Sequence, residues 1–231
     1  MSLSLIELYN KLLATAGPQD WWPGDTQDEI IIGAILTQSV AWTNVEKALA
    51  NLKQAGINTL EDIHMATLDD LAHLIRPTLY YNQKARKLKN FAAFFVEQYQ
   101  ADFHRLFSQN LPKLRAQLLS IKGLGPETVD SILLYAGNVP VFVCDAYTNR
   151  LMQRLGFARE PCGYEYWQSL FMAELPCDPA LYNDFHAQIV VHCKDICKSV
   201  PRCDQCGLQD ICPSRHLGNK SSKQENATIC P

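Results

Sequence analysis

The stretch Ile121-Lys-Gly-Leu-Gly-Pro-Glu-Thr-Val-Asp-Ser-Ile-Leu-Leu-Tyr-Ala136 decides how this chain is read, together with Cys144-Asp145-Ala-Tyr-Thr-Asn-Arg150 just after it. The pattern is a helix, a glycine hairpin, a second helix, and then a lone carboxylate at the start of a third. Gly123 and Gly125 permit a tight turn and a close backbone approach to a ligand. Pro126 suits the first position of the second helix, where its missing N–H costs nothing. The N–H groups that follow make a phosphate site indifferent to base sequence. Asp145 then supplies an anion near whatever carries that phosphate. A backbone clamp for phosphate beside one acid points to chemistry on a nucleotide in DNA.

The rest of the chain sets the frame. Its 231 residues suffice for a real core, in one domain or two small lobes. No stretch is long and apolar enough to span a membrane, so no membrane partner is expected. The opening Met1–Lys11 reads as an amphipathic helix interrupted by Glu7 and Lys11, without the basic leader of a signal peptide. A cytoplasmic protein is the expectation. The net charge of −3 argues against a uniformly basic nucleic-acid binder. Residues 1–75 carry ten acids and three bases, whereas residues 76–231 carry eighteen bases and fourteen acids. The basic excess thus accompanies the hairpin, where phosphate contacts are needed. Lys84, Arg86, Lys87 and Lys89 are expected to form one basic helix face, and Arg150 with Arg154 another; a merely solvated surface is the plainer reading.

Apolar residues recur at three- and four-residue spacing almost throughout, which predicts an all-α fold. The predicted helices cover Leu5–Leu13, Ile30–Leu36, Val45–Leu52, Leu68–Ile75, Leu88–Phe95, Leu111–Leu119, Val129–Leu134, Ala146–Leu155, Tyr166–Leu175 and Leu181–Val191. Thr26, with Glu29 three residues on, reads as an N-cap. Val139-Pro-Val-Phe-Val143 is strand-like but too short to imply a sheet. The polar segment 217–231 is expected to be a disordered tail, despite Cys230.

Nine cysteines are present, and five lie between Cys193 and Cys212. Cys197-x5-Cys203-x2-Cys206-x5-Cys212 places four thiolates in one short loop, which suits a metal centre. In a cytosolic protein, metal binding is favoured over disulfides. Zinc and an iron–sulfur cluster are both compatible with four cysteines. Cys144, Cys162 and Cys177 lack partners at ligand spacing and read as small buried hydrophobes.

The hairpin, Asp145 and the cysteine loop together resemble the helix-hairpin-helix, Gly/Pro-Asp superfamily of DNA glycosylases, whose best-known member is endonuclease III. The resemblance runs from about Gln27 to Cys212. It implies two helical lobes flanking a DNA-facing cleft that holds Glu127 and Asp145: a barrel over residues 22–136 ending in the hairpin, and a second lobe from residues 1–21 and 137–216. It implies a [4Fe–4S] cluster on Cys197, Cys203, Cys206 and Cys212, although the first spacing is one residue shorter than in those relatives. Cys193 is then assigned to the last turn of the preceding helix. The ordered loop would bring Lys198 and Arg202 to phosphate. The expected partner is double-stranded DNA containing a damaged base, bound by a monomer. Lys122, Gly123, Leu124, Gly125 and Thr128 of the hairpin are the expected DNA contacts, with Gln38 as a wedge or orphan-base contact.

Cleavage of an N-glycosidic bond builds positive charge on the sugar, which a nearby carboxylate stabilises while activating water. The resemblance assigns that role to Asp145; capping the next helix is a compatible second role. Bifunctional relatives attack the sugar with a lysine of the second hairpin helix. Here that position is Glu127, which cannot form a Schiff base. The expectation is therefore a monofunctional glycosylase, with Glu127 positioning water or a base; an endonuclease III-type lyase and a non-catalytic damage sensor are the alternatives. Indole faces suit an unstacked, cationic base. The motifs Trp21-Trp22-Pro23, Gly33-Ala-Ile-Leu-Thr-Gln38, Arg76-Pro-Thr-Leu-Tyr-Tyr-Asn-Gln-Lys-Ala85 and Phe185-His186 are similar to bacterial 3-methyladenine glycosylases. By that resemblance Trp21, Trp22, Pro23 and Trp42 line the base pocket, and Gln188 replaces the relatives' pocket lysine. An alkylated purine is the favoured substrate. Core packing is the other reading of the tryptophans.

Overall fold

The computed structural model describes residues 3–158, 160 and 162–217. The expected tail lies outside the described residues from position 218 on, and Cys230 with it. All helices and turns fall into two compact units, one spanning Trp22–Val141 and the other joining the N-terminal stretch through Trp21 to the chain from Phe142 onward.

The unit Trp22–Val141 contains α2 (Gln27–Leu36), α3 (Trp42–Gln54), α4 (Leu60–Met65), α5 (Leu68–Leu74), α6 (Tyr81–Tyr99), α7 (Phe103–Phe107), α8 (Leu111–Ser120) and α9 (Pro126–Ser131). Thr26 caps α2 by accepting from the Glu29 N–H at 3.2 Å. Helix α2 buries six consecutive residues from Ile31 to Leu36, as a helix at the centre of a core must. Helix α6 packs on α2, α4, α5 and α7 and contributes Leu88, Phe91, Ala92 and Phe95 to the interior. Helices α4 and α7 were not anticipated. With six and five residues they are too short to show a period, but each has a side-chain cap, Thr59 and Asp102. Helix α9 runs directly into a π-helical turn, Ile132–Ala136, buried throughout.

The hairpin is built from α8, the turn 121–125 and α9. Arg115 of α8 clamps the fully buried Asp130 of α9 through two hydrogen bonds of 2.7 and 2.9 Å. Asn90 of α6 donates to the Lys122 carbonyl at 3.1 Å. Gly123 has φ +99°, and a Cβ there would lie 2.7 Å from Cγ of Lys87. Gly123→Ala therefore suffers twice, from the left-handed backbone and from a contact that Lys87 must yield. We expect about 1–3 kcal/mol of destabilisation, read as a lower midpoint in urea unfolding.

The second unit contains α1 (Leu5–Ala16), α10 (Ala146–Arg154), α11 (Tyr164–Glu174) and α12 (Pro179–Asp195). Helix α12 packs against α1 and α10. Phe142 stacks on Phe171 at 4.0 Å between centroids and meets Tyr182 and Phe185 edge-on. The strand-like segment 139–143 forms no strand. Instead Val141, Phe142 and Val143 are buried in irregular backbone, and Gln168 satisfies the Phe142 carbonyl at 2.7 Å. No helix among the described residues is long and apolar enough to cross a membrane.

Two expected basic faces are corrected here. Lys84 is buried, and its ammonium donates to the carbonyls of Leu36 at 2.9 Å and Thr78 at 2.5 Å. Burial and the neighbouring Lys87 lower its pKa to about 8. Lys89 is likewise spent on the carbonyls of His64 and Ala66. Arg150 and Arg154 hold backbone carbonyls of the cysteine loop, as described below. Carbonyl groups left over at helix ends attract these cations more effectively than open solvent does.

Candidate active site

Within the hairpin unit, Gly123, Gly125 and Lys122 are exposed, while Leu124 packs inward. Glu127 is exposed in the first turn of α9, one residue beyond Pro126. Thr128 beside it is buried and accepts a hydrogen bond from Nε2 of Gln38 at 2.8 Å. Oε1 of Gln38 in turn accepts from the ammonium of Lys87. Both ends of the Gln38 amide are thus engaged, and Lys87, whose stem already packs on Gly123, anchors the row. The sequence did not single out Lys87 for this position.

The same unit assembles an aromatic wall. Trp22 meets Trp42 edge-on at 5.2 Å and Tyr135 at 4.9 Å. Gly33 of α2 lies beneath the two indoles, and a Cβ there would lie 3.1 Å from Trp42 and 3.4 Å from Trp22. A helix interior disfavours glycine by about 1 kcal/mol, so its presence marks a close approach. That signal was readable in the sequence; Tyr135, which the π-helical turn carries to the wall, was not. Pro23 is exposed and Trp21 half-buried. Leu79 and Tyr80, on the turn before α6, are exposed with φ of 56° and 44°. Two adjacent non-glycine residues in the left-handed region, both presenting apolar side chains, are a strained feature that merits a function.

In the second unit, Asp145 precedes α10 and caps it. Its Oδ1 accepts from the Thr148 N–H at 2.8 Å and from the Thr148 hydroxyl at 3.0 Å. Its Oδ2 lies 3.8 Å from Nε2 of His186 on α12. Burial pushes the Asp145 carboxyl up, but His186 and the Thr148 donors outweigh it and hold the pKa below the ordinary value. Asp145 is therefore a carboxylate at neutral pH, with one oxygen committed to the helix and the other facing an imidazole. His186 belongs to a motif noted for its resemblance, but only the fold places it here.

Gln188, on α12, is 1% exposed. Its Nε2 donates to the Gly17 carbonyl at 2.5 Å and approaches Asp184 Oδ2 at 3.4 Å. Asp184 is itself held by the Tyr9 hydroxyl at 2.9 Å and the Gln19 N–H at 3.1 Å. Burial and this hydrogen bond push Tyr9 up to about 12.

Cys197, Cys203, Cys206 and Cys212 line one small cavity of about 20 Å³, with Arg154, His192 and Leu208 among the other walls. Arg154 donates to the carbonyls of Cys197, Lys198 and Ser199 and to the Cys197 sulfur at 3.2 Å. Arg150 adds bonds to the carbonyls of Cys193 and Cys197. The Leu208 N–H points to the Cys206 sulfur at 3.4 Å. A hydrogen bond from Cys193 and the two guanidiniums lower the Cys197 pKa against the effect of burial. Among the described residues, no three His, Cys, Asp or Glu side chains converge tightly enough to hold an ion. Cys193 is in the last turn of α12 and buried. Cys144 is buried as expected, but Cys162 is half-exposed and Cys177 exposed, so neither is the core hydrophobe the sequence suggested.

Comparison with known proteins agrees with this layout. Residues 32–177 match the HhH-GPD superfamily of base excision DNA repair proteins. A Methanocaldococcus jannaschii protein, provisionally named a DNA repair glycosylase, is 42% identical over 214 residues, covering 91% of this chain and 96% of that protein. The H. pylori 3-methyladenine DNA glycosylase, solved with bound 1,N6-ethenoadenine, is 30% identical with a TM-score of 0.72, over 82% of this chain and 97% of that one. An endonuclease III–DNA complex gives a TM-score of 0.78 at 21% identity, over 95% and 97%, and bears on the fold alone. The chain belongs to the HhH-GPD superfamily and is a base excision repair DNA N-glycosylase.

Proposed function

We propose that this glycosylase is monofunctional, acts as a monomer on duplex DNA, and releases an alkylated purine to leave an abasic site. The observation that carries the proposal is Glu127, an exposed carboxylate at the position from which a lysine would attack the sugar. A carboxylate has no amine to condense with an aldehyde, so strand cleavage has no nucleophile there.

Asp145 performs the excision. As the base departs, its negative charge stabilises the cationic sugar, and Oδ2, the oxygen not bound to Thr148, takes a proton from the attacking water. A methylated purine leaves as a neutral base and needs no strong acid. The wall of Trp22, Trp42 and Tyr135 supplies stacking worth about 1–3 kcal/mol per base, with a cation–π increment for a cationic ring. Pro23 completes the pocket. The relative solved with a modified adenine supports this substrate class. Lys122, Gly123 and Gly125, the exposed residues of the hairpin, bind the backbone beside the lesion, while Leu124 and Thr128, expected as contacts, are buried and hold the turn. Leu79 and Tyr80 serve as an apolar wedge for the space the base vacates, while Gln38, bound at both ends by Thr128 and Lys87, holds the hairpin instead of inserting.

Cys197, Cys203, Cys206 and Cys212 would hold a [4Fe–4S] cluster. Four thiolates on one short loop around a common cavity are a donor set that suits such a cluster. Donors aimed at the sulfurs, from Arg154 and the Leu208 N–H, suit a cluster whose charge is spread over its ligands. Bound there, it would supply a rigid redox-capable centre that orders the loop.

The test is base release from duplexes carrying methylated, deaminated or oxidised bases, scored with and without alkaline cleavage. We expect release of methylated purines, strand breaks only after alkali, and no borohydride-trapped adduct. Strand breaks without alkali together with a lysine adduct would overturn the reading. Iron and sulfide assay of the purified protein checks the cluster, with about four of each per chain expected.

A further inference from the structure

His192 serves the cysteine loop twice. Its backbone carbonyl accepts from the Ile196 and Cys197 N–H groups, both at 2.9 Å, and so ends α12 just before the first cysteine of the loop. Its imidazole is buried, and it is the one histidine among the described residues that line the cavity. Leu151, Leu155, Ile196 and Leu208 make the neighbouring wall apolar, so an imidazole there costs free energy unless its N–H is bonded. Nε2 lies 3.7 Å from the Cys206 sulfur, within reach of a hydrogen bond to so large an atom. A cysteine that ligates a metal is a thiolate and only accepts, so Nε2 then carries the hydrogen and donates.

We infer that His192 donates a hydrogen bond to the Cys206 thiolate and thereby raises the reduction potential of the cluster proposed for this loop. The inference rests on that cluster reading and adds a residue that sets its redox poise. A donor aimed at a ligand sulfur draws electron density from it and favours the more reduced state, whose extra charge spreads onto the sulfurs. Three donors reach sulfurs here: Arg154 to Cys197, and the Leu208 N–H and His192 to Cys206. Of the three, His192 alone can be changed without releasing the loop. Arg154 also holds the carbonyls of Cys197, Lys198 and Ser199, and the Leu208 donor is backbone.

The experiment compares the one-electron midpoint potential of the purified full-length protein in wild type, His192→Phe and His192→Gln, each assayed for iron and sulfide. Phenylalanine fills the place of the ring without a donor, and glutamine keeps an N–H. His192→Phe is expected to shift the equilibrium about tenfold toward the oxidised state, which is about 59 mV for one electron. His192→Gln is expected to restore most of the wild-type value. An unchanged potential in His192→Phe, with iron and sulfide still bound, overturns the inference and leaves the cluster reading standing. Equal shifts in both variants assign the effect to ring packing and also overturn it. Wild type with zinc, or without iron and sulfide, overturns both readings. Where His192→Phe takes up no cluster, pulsed paramagnetic resonance of wild type labelled with ¹⁵N-histidine decides. A weak coupling to an imidazole nitrogen is expected across the hydrogen bond. No coupling, or the strong coupling of a nitrogen bound to iron, overturns the inference.

Discussion

Asp145→Asn is expected to lower base excision by about 10³-fold while leaving the fold intact. Asparagine keeps an Oδ1 that can accept from the Thr148 N–H and hydroxyl, so the cap of α10 survives. What disappears is the charge on the oxygen facing His186, the one that would meet a cationic sugar and a water proton. Circular dichroism and thermal melting should change little, and DNA binding should persist. A second effect follows from the depressed pKa. Asp145 contributes stability that is complete above its ordinary pKa of 3.8 and is lost as pH falls through the lower folded value. The Asn variant should therefore lose less stability on acidification. Excision within a few-fold of wild type would remove Asp145 from the chemistry and leave it a cap.

Glu127→Lys is expected to create what the natural chain lacks, a covalent adduct trapped by borohydride on duplexes with a preformed abasic site. The position is exposed, so a lysine fits without repacking. It lies in the first turn of α9, where the helix dipole disfavours a cation and so lowers the pKa of an introduced amine. A larger fraction of neutral amine is the form that condenses with the sugar aldehyde. Replacing a carboxylate at a helix N-terminus costs only about 0.3–1 kcal/mol. A preformed abasic site makes the readout independent of base excision. An adduct in wild type equal to that in the variant would place the nucleophile elsewhere and end the monofunctional reading.

How much could be read in advance depended on the range of the interactions. The α2 cap at Thr26 and the turn at Gly123 follow from neighbouring residues alone, and the all-helical class from apolar spacing. The capping box of Thr59 with Asp62 was equally local, yet α4 went unseen because six residues carry no period. The basic faces failed for a different reason. Lys84 and Arg154 look like surface cations in a one-dimensional pattern, and only folding brings them to carbonyls of Leu36, Thr78, Cys197 and Lys198.

The sequence by itself determined the hairpin, the carboxylate after it, the absence of a lysine at Glu127 and the four-cysteine loop, because each is a matter of residue type at short spacing. Tertiary structure alone decided which oxygen of Asp145 faces His186, that Tyr135 joins Trp22 and Trp42 above Gly33, and which end of the Gln188 amide meets Gly17. Those outcomes depend on burial and on partners far away along the chain, Gly17 for Gln188 and α12 for Asp145, and no local pattern encodes them.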